Sequence, residues 1–195
     1  MPTLHLASTN PHKLAEFQRL CGNRITLLPA PYPSSADPWM EDGLMFMDNA
    51  IKKAVSYSHS RPGMVLADDS GLCVASLAGA PGVNSARYAG PRATDAENRQ
   101  LLLDRLAHLA EEERGAAFFC ALALARAGEI LATAEASCPG RIARFPRGTG
   151  GFGYDPLFIP SDASATFAEM APEEKDRYSH RARAIARLFV AFPLE

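Results

Sequence analysis

Apolar residues recur along this chain with two different periods, and the change from one to the other predicts alternating strands and helices. The short apolar stretches "TLHLAS" and "ITLLP" are typical of strands. Between them Leu14, Phe17 and Leu20 recur at helical spacing, which predicts a helix over residues 11–21. The chain therefore opens as strand, helix, strand.

The later elements follow from the same periods and from turn signals. "MVLADDSGLCVASL" predicts a strand that meets a turn at Ser70-Gly71 and then continues or pairs back. Thr94 and Glu97 have the capping-box pattern that opens a helix. In the first half, the remaining predictions are a loop over residues 29–42, a helix over 44–58 and the capped helix over 95–113. Two strands follow, over 116–126 and 129–137, joined by a turn at 127–128. The chain is then predicted to form short strands at "GRIARF" and "LFIP" and two C-terminal helices, one from Pro172 and one from Ser179 to Phe192.

This order predicts an α/β protein with a mixed central sheet flanked by helices, in one domain over residues 1–195. A net charge of −2 without a basic stripe argues against binding to nucleic acid. Four cysteines without a CxxC pair indicate free thiols in a reducing compartment. The start of the chain lacks a secretory pattern, and the apolar run "AAFFCALALA" is too short to span a membrane, so we expect a cytoplasmic protein with no membrane partner.

Polar residues crowd the first strand-to-helix junction in the stretch "STNPHK". Asn10 is suited to cap the helix and Pro11 to occupy its first position. A helix N-terminus offers unpaired N–H groups and a partial positive charge, and Lys13 adds an ammonium in the first turn. The stretch fits a phosphate site, and a plain helix cap also explains it. The spacing of a Walker A loop is absent.

Two adjacent acids, Asp68 and Asp69, end the apolar run in "LADDSG". Ligands of α/β proteins gather at the carboxyl ends of strands. Adjacent strand residues point to opposite faces, so one acid could hold a metal or activate water while the other fixes the turn. The alternative is an Asp-Ser-Gly turn with both acids in solvent.

Further acids stand before and within the second predicted helix, at Glu41, Asp42 and Asp48 in "PWMEDGLMFMDNA". Glu41 and Asp42 could simply favour the helix N-terminus. Either could also supply a hard oxygen ligand for Mg²⁺.

A glycine-dense loop, "GTGGFGYDP", surrounds Phe152 and Tyr154. Such a loop lets backbone approach a ligand closely, and a flat base could stack on one of the rings. Farther on, "EEKDRYSHRARA" offers Lys175, His180 and Arg181. A solvated helix face is the usual explanation for such charges, but cations in the first turn of a helix oppose its dipole, which favours an anion or carbonyl opposite them.

Five stretches in register resemble the Ham1/inosine triphosphate pyrophosphatase family, and within it the bacterial dITP/XTP pyrophosphatases. They are "LASTNPHKLAEF", "LADDSGLCV", "GAPGVNSARYAG", "GTGGFGYDPLF" and "EEKDRYSHRARA", and they extend over nearly the whole chain. The resemblance implies an ITPase-like mixed α/β fold (also described as anticodon-binding-like), with two lobes and a cleft between them. It also implies a homodimer that uses Mg²⁺ to hydrolyse nucleoside triphosphates such as ITP, dITP and XTP between the α and β phosphates.

Site residues carry over by position. Asp69 corresponds to the general base near the metal, with Ser70 beside it, and Glu41 best matches the acidic metal ligand. The triphosphate side corresponds to Ser8, Thr9, Asn10, Pro11, His12 and Lys13, and the base side to Phe152, Gly153, Tyr154, Asp155, Lys175, His180 and Arg181.

The hydrogen-bonding groups of the purine bases suggest how such a site selects its substrate. Hypoxanthine and xanthine present a 6-oxo acceptor that adenine lacks, so a buried donor aimed at O6 would reject adenine strongly. We expect Arg181 or His180 to supply this donor, with Phe152 or Tyr154 stacking on the ring. Two alternatives stay open: a Maf-type pyrophosphatase with another base preference, and a non-catalytic module that senses nucleotides.

Overall fold

The computed structural model of this chain describes residues 2–30, 42–59 and 61–193. Within them, strands and α-helices alternate through the first half and strands dominate the centre. In chain order they are β1 (Thr3–Ala7), α1 (Pro11–Cys21), β2 (Thr26–Pro29), α2 (Phe46–His59), β3 (Met64–Val74), α3 (Asp95–Arg105), β4 (Gly115–Arg126), β5 (Glu129–Ile142), β6 (Phe158–Pro160), α4 (Pro172–Tyr178) and α5 (His180–Ala191).

The six strands form one sheet in the order β2-β1-β3-β4-β5-β6. β1 pairs in parallel with both β2 and β3, whereas β5 and β6 pair antiparallel with Arg141 opposite Ile159. Ala127 and Gly128, both with positive φ, make the two-residue turn from β4 to β5. The prediction of a mixed sheet in an α/β fold is confirmed.

The chain divides into two compact units. The first unit comprises residues 1–69, 120–136 and 181–195, and the second comprises residues 70–119 and 137–180. Each has its own apolar core. The first unit buries residues such as Leu6, Phe17 and Leu122, and the second buries residues such as Phe118 and Phe158. The two predicted lobes are therefore present, and the cleft stays a prediction.

The turn predicted at Ser70-Gly71 is wrong, because β3 runs unbroken from Met64 to Val74. Turn-like letters such as "DDSG" end a strand when the carboxylates need solvent. Here both Asp68 and Asp69 are buried and have protein partners, so the strand continues.

The helix predicted through residue 113 ends at Arg105, and only a short 3₁₀ turn, Glu111–Glu113, follows. The fully buried guanidinium of Arg114 explains the early end, because its Nη1 donates to the Leu106 carbonyl at 2.7 Å. Its Nε and Nη2 donate to the carbonyls of Ile142 and Ala143 at 2.8 and 3.0 Å. The separate strand predicted at "GRIARF" is likewise wrong, since its first residues belong to β5.

Other predicted boundaries hold. Asn10 caps α1, Thr94 and Glu97 form the capping box of α3, and α4 begins at Pro172. Ser179 lies between α4 and α5, as predicted. Most of the predicted loop over residues 29–42 lies outside the described residues. Among the described residues, no helix is both long and apolar enough to cross a membrane.

Candidate active site

The N-terminus of α1 is closed by its own cap. The side chain of Asn10 accepts hydrogen bonds from the backbone N–H groups of His12 and Lys13 at 2.9 and 3.3 Å. Pro11 has no N–H to offer. The expectation that this helix exposes unpaired N–H groups is therefore wrong for its first turn. An anion here would meet the helix dipole and the neighbouring hydroxyls of the "STN" loop instead.

An ion pair joins the partly exposed Lys13 to the buried Asp68, with 2.5 Å between Nζ and Oδ2. Asp68 also accepts from the Cys120 thiol at 3.2 Å, and its main-chain oxygen accepts from Lys53 at 3.1 Å. Burial acts to raise the pKa of Asp68, but the charges of Lys13 and Arg181 outweigh it and hold the pKa well below its ordinary value. Asp68 is therefore a fixed negative charge that positions cations.

Asp69 has different surroundings, as expected for an adjacent strand residue. Its Oδ2 accepts from the amide of Asn49 at 3.0 Å, and Asn49 is fixed in turn by accepting from the Gly43 N–H at 2.8 Å. Burial raises the pKa of Asp69 to about 6, although Lys53 and Asn49 act in the opposite direction. A carboxylate with this pKa can accept a proton near neutral pH. The structure thus gives the two acids different partners and opposite pKa shifts, which the sequence did not reveal.

The segment "SHR" contributes to both units. In the first unit Arg181 donates to Glu16 at 2.8 Å, and its Nε lies 3.9 Å from Asp68. In the second unit His180 stacks on Phe118, with 4.7 Å between ring centroids and 7° between ring planes. Arg181, predicted for the base side, therefore lies near Asp68, the partner of Lys13, which was predicted for the triphosphate side.

Six charged side chains of the first unit, called the first-unit cluster below, have charges that cancel. Three cations and three carboxylates, all but Lys13 less than a tenth exposed, bring a net charge near zero when every group is ionised. They are Lys13, Lys53, Arg181, Asp68, Asp69 and Glu16. A polyanion placed here would therefore lack compensating charge, which a bound divalent cation would supply.

The predicted metal ligands are only partly described. Glu41 lies outside the described residues, and Asp42 is an exposed carboxylate paired with Lys52 at 2.5 Å. The described residues contain no group of three or more His, Cys, Asp or Glu suited to a metal. Mg²⁺, however, typically uses one or two protein carboxylates together with substrate phosphates. The buried Asp69, with one neutral amide donor at Oδ2 and a raised pKa, fits such a ligand.

In the second unit, Asp155 organises the glycine loop. Its Oδ2 accepts from the Phe152 N–H at 2.9 Å and from the Lys175 ammonium at 2.6 Å. That ammonium lies 5.3 Å from the centroid of the Phe152 ring. Gly151 has φ +69°, and a Cβ there would collide with the Asp155 carboxylate. The loop is thus built around one carboxylate, with Phe152 as its half-buried aromatic residue.

Tyr154 takes a different role from the one considered for it. Its ring is buried in the apolar core of the second unit, and its hydroxyl donates to the Ser85 carbonyl at 2.9 Å. Of the two rings predicted for stacking, Phe152 is therefore the one outside this core. Ser70, predicted beside Asp69, continues β3 and is half-buried.

Sequence reasoning missed four residues that support this site, and three of them were detectable. Asn49 and Lys53 lie four residues apart on α2 beside buried alanines, so polar side chains at that spacing indicate a polar contact with the core. Glu16 is similarly out of place among the buried positions of α1. Cys120 gave no signal, since a cysteine within an apolar strand is an ordinary buried residue.

Comparison with known proteins finds one family over nearly the whole chain. The model of the Ham1 family matches residues 4–191. The dITP/XTP pyrophosphatase of Geobacillus kaustophilus is 45% identical over 190 residues, which cover 96% of this chain and 93% of the relative. That of Mycobacterium tuberculosis is 46% identical over 194 residues, covering 96% and 94%. The solved structure of a HAM1 protein from Coxiella burnetii aligns with a TM-score of 0.82 at 40% identity, covering 97% of this chain and 98% of that one.

Proposed function

The chain belongs to the Ham1 family, and we propose that it hydrolyses non-standard purine nucleoside triphosphates, ITP, dITP and XTP, to the nucleoside monophosphate and pyrophosphate. Relatives named dITP/XTP pyrophosphatase, similar over nearly its full length, support this activity. The structural observation that carries the proposal is Asp69, a buried carboxylate with a pKa of about 6 beside the fixed pair of Lys13 and Asp68.

The reaction requires water to attack the α-phosphorus while the bond from that phosphorus to the bridging oxygen breaks and pyrophosphate leaves. Asp69 accepts the proton of the attacking water, a contribution typically worth about 10²–10⁴-fold. Lys13 is held by Asp68 at the start of α1, where its ammonium can contact phosphate oxygens. The hydroxyls of Ser8 and Thr9, with the dipole of α1, complete the triphosphate side.

Asp69, together with Glu41 as the resemblance implies, would hold Mg²⁺. When bound, the ion would neutralise phosphate charge and polarise the anhydride. The net neutrality of the first-unit cluster is the physical reason to expect it, because a triphosphate needs positive charge that Lys13, Lys53 and Arg181 do not supply in excess.

For the base side we assign stacking to Phe152, whose backbone is fixed by Asp155. Lys175, bound to the same carboxylate, lies beside this ring. Arg181 and His180 remain the predicted donors to O6, and one group of Arg181, Nη1, already donates to Glu16. Unchanged discrimination between dITP and dATP in Arg181→Ala would remove that residue from the role.

We also propose a homodimer, as the resemblance implies, and a cytoplasmic location, which suits four free thiols. Light scattering of the purified protein tests the dimer.

The deciding experiment measures hydrolysis of ITP, XTP, dITP, ATP and GTP with and without Mg²⁺, and identifies the products. We expect pyrophosphate and monophosphate from the first three nucleotides. Release of inorganic phosphate and a diphosphate would contradict cleavage at the α–β bond. The same assay is run with UTP and CTP, because a preference for these pyrimidine substrates would favour a Maf-type enzyme. Full turnover by Asp69→Asn would remove the assigned base, whereas nucleotide binding without turnover in the wild type would favour the sensor.

A further inference from the structure

Helix α3 is hydrogen-bonded to the glycine loop at one residue, Gly153. Asp95 Oδ2 accepts from the Gly153 N–H at 2.7 Å, and Arg99 Nη1 donates to the Gly153 carbonyl at 2.7 Å. Asp95 and Arg99 are four residues apart on α3, so their side chains share one face of the helix. Both backbone hydrogen-bonding groups of a single loop residue are therefore held by one helix.

The start of α3 is itself rigidly built. Thr94 and Glu97 form a reciprocal capping box, with Thr94 N–H donating to Glu97 at 2.7 Å and Glu97 N–H donating to Thr94 at 3.3 Å. The buried Asn98 then ties the helix to the preceding loop, because its amide donates to the Ala86 carbonyl at 3.1 Å and its oxygen accepts from the Ala89 N–H at 2.8 Å. Asp95 and Arg99 thus project from a fixed support.

The hydrogen bonds to Gly153 help to fix the backbone of its neighbour Phe152. The peptide plane before Phe152 is fixed by its N–H, which donates to Asp155. The plane after it is fixed by the Gly153 N–H on Asp95 and by the Phe152 carbonyl, which accepts from the Asp155 N–H at 3.1 Å. Because peptide units are planar, fixing both planes fixes the direction in which the Phe152 side chain leaves the backbone.

We propose that Asp95 and Arg99 are positioning residues for base recognition, acting through Gly153 on the ring of Phe152. This inference rests on the proposed function, since it assigns Phe152 to the purine base. Neither residue has to touch the nucleotide. Their effect is to hold the stacking surface ready, so that base binding does not have to order the loop.

Kinetics of Asp95→Ala and Arg99→Met test the proposal. Stacking of a base on an aromatic ring contributes binding in the ground state and transition state alike, so its loss raises KM and leaves kcat nearly unchanged. We expect KM for ITP to rise about tenfold, with kcat within about twofold of the wild type. Asp95→Asn keeps an acceptor for the Gly153 N–H and should behave nearly as the wild type.

A second readout separates positioning from general loss of structure. Inorganic tripolyphosphate has no base, so its inhibition constant against ITP should be the same in wild type and in both variants. Gln100→Ala removes an exposed side chain of the same helix that donates to Asp104, and it leaves the capping box and both bonds to Gly153 in place. This control should keep the wild-type KM for ITP.

The proposal is overturned if Gln100→Ala raises KM as much as Asp95→Ala does, or if the inhibition constant of tripolyphosphate rises together with KM. Arg99→Met leaves the helix cap intact and maintains the test if Asp95→Ala fails to fold. A wild-type protein that does not hydrolyse ITP would overturn the proposed function as well. Wild-type hydrolysis with an unchanged KM in both variants would overturn this inference alone.

Discussion

Replacing Asp69 by Asn should abolish turnover and yet stabilise the folded protein. Burial raises the pKa of this carboxyl from its ordinary 3.8 to about 6, so the folded protein binds the proton more tightly than the unfolded chain does. Stability contributed by the protonated form is complete below about pH 3.8 and is lost as the pH rises to about 6 and above. At neutral pH the charged carboxylate is therefore a net cost to the fold.

The cost can be worked from the two pKa values. A shift from 3.8 to about 6 corresponds to roughly 3 kcal/mol, because one pKa unit is about 1.4 kcal/mol. The amide introduced by Asp69→Asn keeps an oxygen that can accept from Asn49, so the substitution removes the charge and retains that contact. For a chain of 195 residues, a gain of this size raises the Tm by on the order of 5–10 °C.

The assay is urea denaturation in EDTA, with wild type and Asp69→Asn compared at pH 8 and pH 5. We expect Asp69→Asn to gain about 3 kcal/mol at pH 8 and about half of that at pH 5, where the wild-type carboxyl is largely protonated in the fold. Asp162→Asn, at an exposed carboxyl, should change stability by less than about 0.5 kcal/mol at either pH. A gain that is equal at both pH values, or a variant less stable than wild type at pH 8, would refute the reasoning.

Three further substitutions test other parts of the structure. Lys13→Met leaves Asp68 buried without its closest cation and should lower the free energy of unfolding in urea by about 3 kcal/mol. Adding Asp68→Asn to that variant should recover much of the lost stability. A loss under about 0.5 kcal/mol in Lys13→Met would contradict the importance of the ion pair. Arg114→Met removes three hydrogen bonds to buried carbonyls and should lower the free energy of unfolding by about 3–5 kcal/mol, which thermal unfolding would show as a large fall in Tm. Gly151→Ala sets a Cβ against the Asp155 carboxylate at a positive φ, so KM for ITP should rise while the inhibition constant of tripolyphosphate stays constant; parallel changes in both would point to global damage.

Local signals in the sequence were sufficient to predict a helix boundary wherever the interaction that fixes the boundary is also local. Asn10 and Pro11 predict the start of α1 because a cap acts on residues two and three positions ahead. Thr94 and Glu97 predict the start of α3 for the same reason. The end of α3 could not be predicted, since it depends on Arg114, which lies just before β4 and reaches back to the Leu106 carbonyl.

In the candidate site, too, interactions between distant residues could not be predicted from local signals. Family motifs identified Lys13 and Asp69, but not that Lys13 is bound to Asp68 or that Asn49 holds Asp69. These pairs join residues that are 20 or more positions apart, so no periodicity or capping rule connects them. The error at Ser70-Gly71 has the same origin, because a distant lysine makes burial of a turn-like acid possible.

The division between Asp68 and Asp69 has a physical logic that links stability to catalysis. An acid whose pKa is held low by Lys13 stays charged and positions cations, but it is too weak a base to take a proton from water. The acid beside it, on the other face of β3, accepts at Oδ2 from an amide, and no cation pairs with it among the residues that the structure describes. It is a stronger base at the expense of folding stability. One strand can therefore supply a fixed counter-ion and a base at consecutive positions, provided that it does not turn. The unbroken course of β3 through "DDSG" is consequently a requirement of the proposed chemistry.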